Sequence, residues 1–419
     1  MCKLNIVDSI MGSGKTTAAI NYVNALPPEQ KVMFIVLYND EVKRIKKSCK
    51  DKNLQEPQYE NGRKLYGLRE LLSNGENIVS THALLELLEE EDIRLIKEQN
   101  YICFIDETIN CISSYNSEDS DYHMHPKDIE VLTKCYSIVD EDTGLLQWNV
   151  PDYKDGRFID EKKLMDNRRL MINKDGKLFK IFPLSILMAF KELFVLTYMF
   201  EGSVMYCYVK QHGISYRNMY ITGSSLDELT ISDNADNKVV VKKNYRELIH
   251  ILDDDKLNSI GDGRYDLSVS WYSKRATERD KKKLQLNMRN FFEHKVGVKA
   301  KECLWTTFSS QKSGLSAIGD GKYKRYSDCF ASINMRASNN WSDRTAVAYL
   351  VNRFMNLDIC NYFEHDGVRP DQNLFALSEM LQFIWRSAIR KNQPINLYIP
   401  SSRMRGLLED WIEENSYDE

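Results

Sequence analysis

The sequence predicts an α/β protein of two lobes, each built on a mainly parallel sheet. Three observations carry that expectation. Short apolar runs alternate with helical patterns in both halves, a glycine loop joins the first run to the first helix, and the chain is long enough for two cores. Its 419 residues fit two or three domains of about 150 residues each.

Each element follows from local pattern. KLNIV (Lys3–Val7) reads as a strand, followed by the glycine loop and by a helix through TTAAINYVNAL, which Pro27 and Pro28 end. KVMFIVLY is a second strand, with a charged helix from Asp40. NIVST is a third strand and YICFIDE a fourth. Strands alternating with helices imply a parallel sheet covered on both faces. Residues 111–160 then turn acidic, with 11 Asp and Glu against 4 Lys and Arg. Asp155-Gly156 and Asp175-Gly176 read as hairpin turns in an insertion. FVLTYMF returns to core, and the polar run Ser232–Lys238 marks a boundary. The expected lobes are therefore 1–232, with an insertion around 111–182, and 233–419. In the second lobe YDLSVSWY and CLWTTF read as strands around a basic helix. FALSEMLQFIWRSAIRK reads as one amphipathic helix, followed by the strand INLYIP.

Composition excludes several classes. Hydrophobic residues at 42% and charged residues at 28% are neither disordered nor membrane-like. A net charge of −4 points to no bulk nucleic-acid affinity, so any strand must lie in a local groove. The nine cysteines never form a CxxC pair, which argues for reduced thiols rather than zinc or disulfides. The N-terminus has no signal-peptide core. The apolar stretch 182–200 is opened by Pro183 and broken by Lys191 and Glu192, so it reads as buried core. A cytoplasmic location is the expectation.

The chemistry starts at Ser9–Thr17. Gly12, Ser13 and Gly14 let backbone N–H groups face a phosphate. Lys15 can reach the terminal phosphates, Thr16 can place a hydroxyl on Mg²⁺, and Thr17 continues the helix whose N-terminus favours anions. In Tyr101–Glu107 an apolar strand ends in two carboxylates. Asp106 would hold Mg²⁺ through water, and Glu107 would orient or deprotonate the attacking water. Gln382, Arg386 and Arg390 recur every four residues and would share one helix face. An arginine from a second lobe can stabilise the charge that develops on a γ-phosphate.

In this order the three segments resemble motifs I, II and VI of superfamily 2 helicases. More closely, the chain resembles helicase-like proteins encoded by phages and prophages of low-GC Gram-positive bacteria. The matching segments are SIMGSGKTTAAINYVN, NIVSTHAL, FIDE, LTYMFEGS, LWTTF and LQFIWRSAIR followed by LYIPSSRMRGLL. The resemblance implies two RecA-like lobes with an ATP cleft between them. It also implies that Leu196–Gly202 couples ATP state to strand grip, that Thr81 and His82 lie in a DNA-contacting segment, and that Trp305–Phe308 opens motif IV. Two departures stand out: Arg390 lies eight rather than seven residues after Gln382, and Trp385 replaces a glycine. Arg386 is therefore the stronger finger. No adenine-reading glutamine is evident before Ser9.

From Arg264 to Lys301 there are 11 basic and 4 acidic residues, Lys281, Lys282 and Lys283 among them. Trp271 and Tyr272 stand near the start, and Tyr323–Tyr326 follows. Basic groups interleaved with aromatics suit a phosphate track with stacked bases. His123 and His125 lack further ligands and read as a surface pair. The resulting expectation is an ATP- and Mg²⁺-dependent DNA helicase or translocase. It would act on single strands or forks in phage replication or recombination, with proteins of those processes as partners. Two rivals remain: a nucleotide-gated switch that recruits a partner without unwinding, and a nucleotide kinase.

Overall fold

The computed structural model describes residues 2–116, 123–316, 326–333 and 340–417. Three of the acidic residues counted above, Glu118, Asp119 and Asp121, lie outside them, as do Tyr323–Arg325. The chain divides into two compact units. The first comprises Met1–Ile10, Gly14–Val239 and Met355–Pro370; the second comprises Met11–Ser13, Val240–Phe354 and Asp371–Glu419.

In the first unit the strands are, in chain order, β1 (Lys3–Asp8), β2 (Val32–Val36), β3 (Ile78–Thr81), β4 (Ile102–Asp106), β5 (Ile112–Ser114), β6 (Ser137–Val139), β7 (Leu146–Trp148), β8 (Leu170–Ile172), β9 (Leu178–Ile181), β10 (Glu192–Thr197), β11 (Tyr216–Thr222) and β12 (Thr230–Ser232). Among the described residues seven of them form one sheet in the order β12-β11-β1-β10-β4-β2-β3. Every pairing is parallel except that of β12 with β11. The central strands read as unbroken apolar runs because helices bury both faces. Phe34, Phe104 and Phe194 stack across β2, β4 and β10 at 5.7 and 4.7 Å between ring centres.

The insertion between β4 and β10 has its own apolar centre, including Tyr115, Leu132, Leu146, Phe158, Leu170 and Leu178. Its strands pair as β5-β9-β8 and β6-β7, all antiparallel. Asp175-Gly176 is the hairpin turn between β8 and β9, closed by Asn173. Asp155-Gly156 is not a hairpin turn: it leads from β7 into the helix Ile159–Asp166. The helix Leu357–His365, from far along the chain, packs on this insertion. Ser114 Oγ donates to Asp358 at 3.1 Å, Phe179 meets Tyr362 at 5.3 Å, and His365 Nε2 lies 3.2 Å from Asp175.

The second unit holds β13 (Ile249–Ile251), β14 (Cys303–Thr306), β15 (Ala346–Tyr349) and β16 (Ile395–Tyr398) in a parallel sheet ordered β13-β16-β15-β14. YDLSVSWY is not a strand. Leu267 adopts a left-handed φ of 62°, and Ser268 caps a helix, Val269–Lys274, by accepting the Trp271 N–H. No helix among the described residues is long and apolar enough to cross a membrane.

Candidate active site

β1 ends at Asp8, and the glycine loop runs from there to Gly14, which opens the helix Lys15–Ala25. Gly12 and Gly14 have φ of +80° and +91°, a region that side chains other than glycine enter only with strain. At Gly14 there is a second reason: a Cβ there would stand 2.5 Å from Leu229 Cδ1. The Lys15 ammonium donates to the carbonyls of Ser9 at 2.5 Å and Ile10 at 3.1 Å, inside the curl of the loop. The Ser13 hydroxyl is buried and has no hydrogen-bond partner among the described residues.

Thr16 and Asp106, ninety residues apart, meet at 3.2 Å between Oγ1 and Oδ2. Glu107 has a φ of +70°, costly for a side chain of its size, and its N–H is held by the Leu196 carbonyl at 2.9 Å. Burial, with the Glu107 charge beside it, pushes the Asp106 carboxyl up to about 7. Lys15, the Thr16 hydrogen bond and Arg44 pull the other way. Burial also lowers Lys15, against the pull of Glu107, Asp106 and Asp8. Both groups are charged at a cost in lost hydration, so the site favours compensating charges from outside. Those are a cation at Asp106 and an anion at Lys15. A threonine hydroxyl beside a carboxylate is an oxygen donor set of the kind Mg²⁺ takes.

Asp8 was not anticipated as a functional residue. Its two carboxylate oxygens accept the N–H groups of Met199 and Phe200, each at 2.8 Å. Ser9 N–H donates to the Thr197 carbonyl at 3.0 Å. The Leu196–Gly202 segment is therefore wired to the start of the glycine loop and, through Leu196, to Glu107. The only sequence signal was a carboxylate at the last strand position before that loop. His82 Nε2 lies 2.9 Å from the Asp106 carbonyl oxygen, and Thr81, half-buried, ends β3 beside it.

The third motif departs from expectation. The helix spans Gln372–Ile384, so Gln382 is on it but Arg386 and Arg390 are not. The Ser387 hydroxyl donates to the Ile384 carbonyl at 2.6 Å, and the Ala388 N–H donates to the Arg344 carbonyl at 2.9 Å, which draws the backbone out of the helix. Trp385 packs against both Tyr245 and Trp411 in a three-ring cluster. Arg386 is 4% exposed. Its guanidinium donates to the carbonyls of Ser332 at 3.1 Å and Ile333 at 3.4 Å, over the Phe383 ring. Arg390 is exposed in a short 3-10 turn.

The basic run forms the helix Glu278–Asn290, started by a capping box of Thr277 and Asp280. Lys281 pairs with Glu278, Lys282 with Gln285, and Lys283 with Ser259. Trp271, Tyr272 and Tyr326 are buried core residues rather than stacking platforms. Tyr272 donates to the Leu350 carbonyl, and the Tyr326 carbonyl takes the Trp305 indole N–H.

A family described as the YonV C-terminal Rossmann-like domain matches residues 243–412. The four parallel strands of the second unit fit that description. Two solved structures, described as XPD helicase and XPD apo, each superpose with a TM-score of 0.50. They do so at 11% and 12% identity, covering 99% and 97% of this chain and 95% of theirs. At such identities the likeness is one of fold, and the fold is helicase-like. The SPbeta prophage-derived uncharacterized protein YonV of Bacillus subtilis (strain 168) is 37% identical over 419 residues, with 99% of each chain covered. That match runs through both units, and the chain belongs to the family of this prophage protein.

Proposed function

We propose that the protein is an ATP- and Mg²⁺-dependent nucleic-acid helicase or translocase that acts on DNA during phage replication or recombination. The meeting of Thr16 with Asp106 at 3.2 Å, beside Glu107 and the Lys15 loop, carries the reading. In it Lys15 and the loop N–H groups hold the β- and γ-phosphates. Thr16 and Asp106 hold Mg²⁺, which neutralises phosphate charge when bound. Glu107 accepts the proton of the attacking water. Arg386, with Arg390 and Gln382, stabilises the charge that develops on the γ-phosphate. Thr81, His82 and Lys281–Lys283 contact the strand. The helicase-like fold and the prophage origin of the relative support this reading.

The test is ATP hydrolysis with no nucleic acid, with single-stranded DNA, with single-stranded RNA and with duplex, alongside strand displacement. Stimulation by DNA together with unwinding is the expected result. The internal engagement of Arg386 favours one alternative, a nucleotide-gated switch that recruits a replication partner. Tight ATP binding with negligible turnover and no unwinding would select it. A phosphorylated small product would select a kinase.

A further inference from the structure

We propose that the β11–β12 hairpin loop, residues 223–229, is the base end of the nucleotide site, and that it takes a purine with Leu226 against the ring face. This rests on the nucleotide reading above, whose groups hold phosphates and leave the nucleoside without a partner.

Topology gives the direction. In the order β12-β11-β1-β10-β4, the carboxylates of β4 lie on one side of β1. A phosphate chain on the loop after β1 has its terminal phosphate at Lys15 and Thr16, facing Asp106 and Glu107. Its nucleoside end therefore extends to the other side of β1, over β11 and β12. The edge is right as well. β11 runs parallel to β1 with Val7 opposite Met219, so Gly223 leaves the sheet at the same edge as the glycine loop.

The hairpin loop is pinned there. Leu229 Cδ1 occupies the space a side chain at Gly14 would need. Asn21, on the helix that follows the glycine loop, shares its amide N–H groups among the carbonyls of Leu226, Asp227 and Leu229 at 3.2, 3.3 and 2.8 Å. Ser225 O accepts the N–H groups of Glu228 and Leu229, and the Ser224 hydroxyl donates to Glu228 at 2.7 Å. Yet the loop so fixed presents Leu226, 70% exposed, to water. A loop that reaches the glycine loop through Leu229, is anchored by Asn21 and holds a large aliphatic side chain in water offers a flat ring an apolar seat. A purine covers more of that seat than a pyrimidine does.

The experiment compares KM for ATP and CTP, and the inhibition constant of inorganic tripolyphosphate, in the full chain and in Leu226→Ala. The substitution raises KM for ATP about tenfold and KM for CTP less. It leaves tripolyphosphate inhibition in place, because that probe has no base. Asn21→Ala, which unpins the loop, moves ATP the same way. An unchanged KM for ATP in Leu226→Ala overturns the proposal. A parallel weakening of tripolyphosphate also overturns it, since the loop would then be a prop of the glycine loop. A wild-type chain that neither binds nor turns over nucleotide overturns the nucleotide reading first, and this one with it.

Discussion

Arg386→Ala separates two roles for the same side chain. In the structure the guanidinium is buried, donates to two backbone carbonyls and lies 5.2 Å over Phe383. A hydrogen bond from a charged group contributes about 1.5–3 kcal/mol. The Ile333 bond, at 3.4 Å, is the weaker of the pair. The ring contact adds about 0.5–1 kcal/mol. The loss of all three, partly offset by not having to bury a charge, should destabilise the second unit by about 2–4 kcal/mol. Five of the six tryptophans (271, 305, 341, 385 and 411) belong to that unit, so tryptophan fluorescence in denaturant reports its unfolding directly. The midpoint should fall with an unchanged slope. Lysine at 386 should recover little, because one ammonium cannot span both carbonyls. If Arg386→Ala unfolds at the wild-type midpoint while hydrolysis drops by orders of magnitude, the arginine serves the phosphate alone, and the structural account fails.

The remaining predictions concern the first unit and the strand. Lys15→Ala should abolish ATP hydrolysis; wild-type turnover would refute the phosphate role. Glu107→Gln should bind ATP but hydrolyse it very slowly, because an amide cannot accept the proton; affinity measured beside turnover checks this. Asp106→Asn should stabilise the first unit above neutral pH while abolishing Mg²⁺-dependent turnover. The folded carboxyl, raised to about 7 from 3.8, contributes stability at acid pH that is lost as pH rises through about 7. Melting curves at pH 5 and pH 8.5 should therefore show the larger gain at the higher pH, because the loss begins above 3.8 and is complete only above about 7. Changing Lys281, Lys282 and Lys283 to Glu should weaken single-strand binding and flatten its salt dependence; an unchanged salt slope would leave the helix a solvated face.

Parallel strands were the most legible part of the fold, because burial on both faces writes them as unbroken runs such as VMFIV and ICFID. The glycine loop after β1 and the two carboxylates at the end of β4 were legible as fixed residue types at strand ends, and Thr16 meets Asp106 there. What failed was decided at a distance. The periodicity of 375–391 is helical throughout, yet the Arg344 carbonyl and the Ser387 hydroxyl end the helix at Ile384. The β-rich composition of YDLSVSWY lost to the cap at Ser268. Trp271, Tyr272 and Tyr326 beside a basic run looked like stacking platforms, but no local pattern separates an aromatic that meets a base from one that fills a core. Asp8 escaped notice because its partners, Met199 and Phe200, lie about 190 residues away.

Synthesis meets the chain's path in an awkward order. The ribosome delivers everything up to Val239 and must then make the 115 residues of Val240–Phe354 before the helix Leu357–His365 emerges. At 5–20 residues per second that interval is on the order of ten seconds. Throughout it, Phe179 lacks Tyr362, and Ser114 and Asp175 lack Asp358 and His365. The first unit is thus completed in two instalments, with an apolar face of the insertion open to chaperones and proteases between them. A premature stop just after Phe354 therefore injures the half of the protein whose strands have all been made.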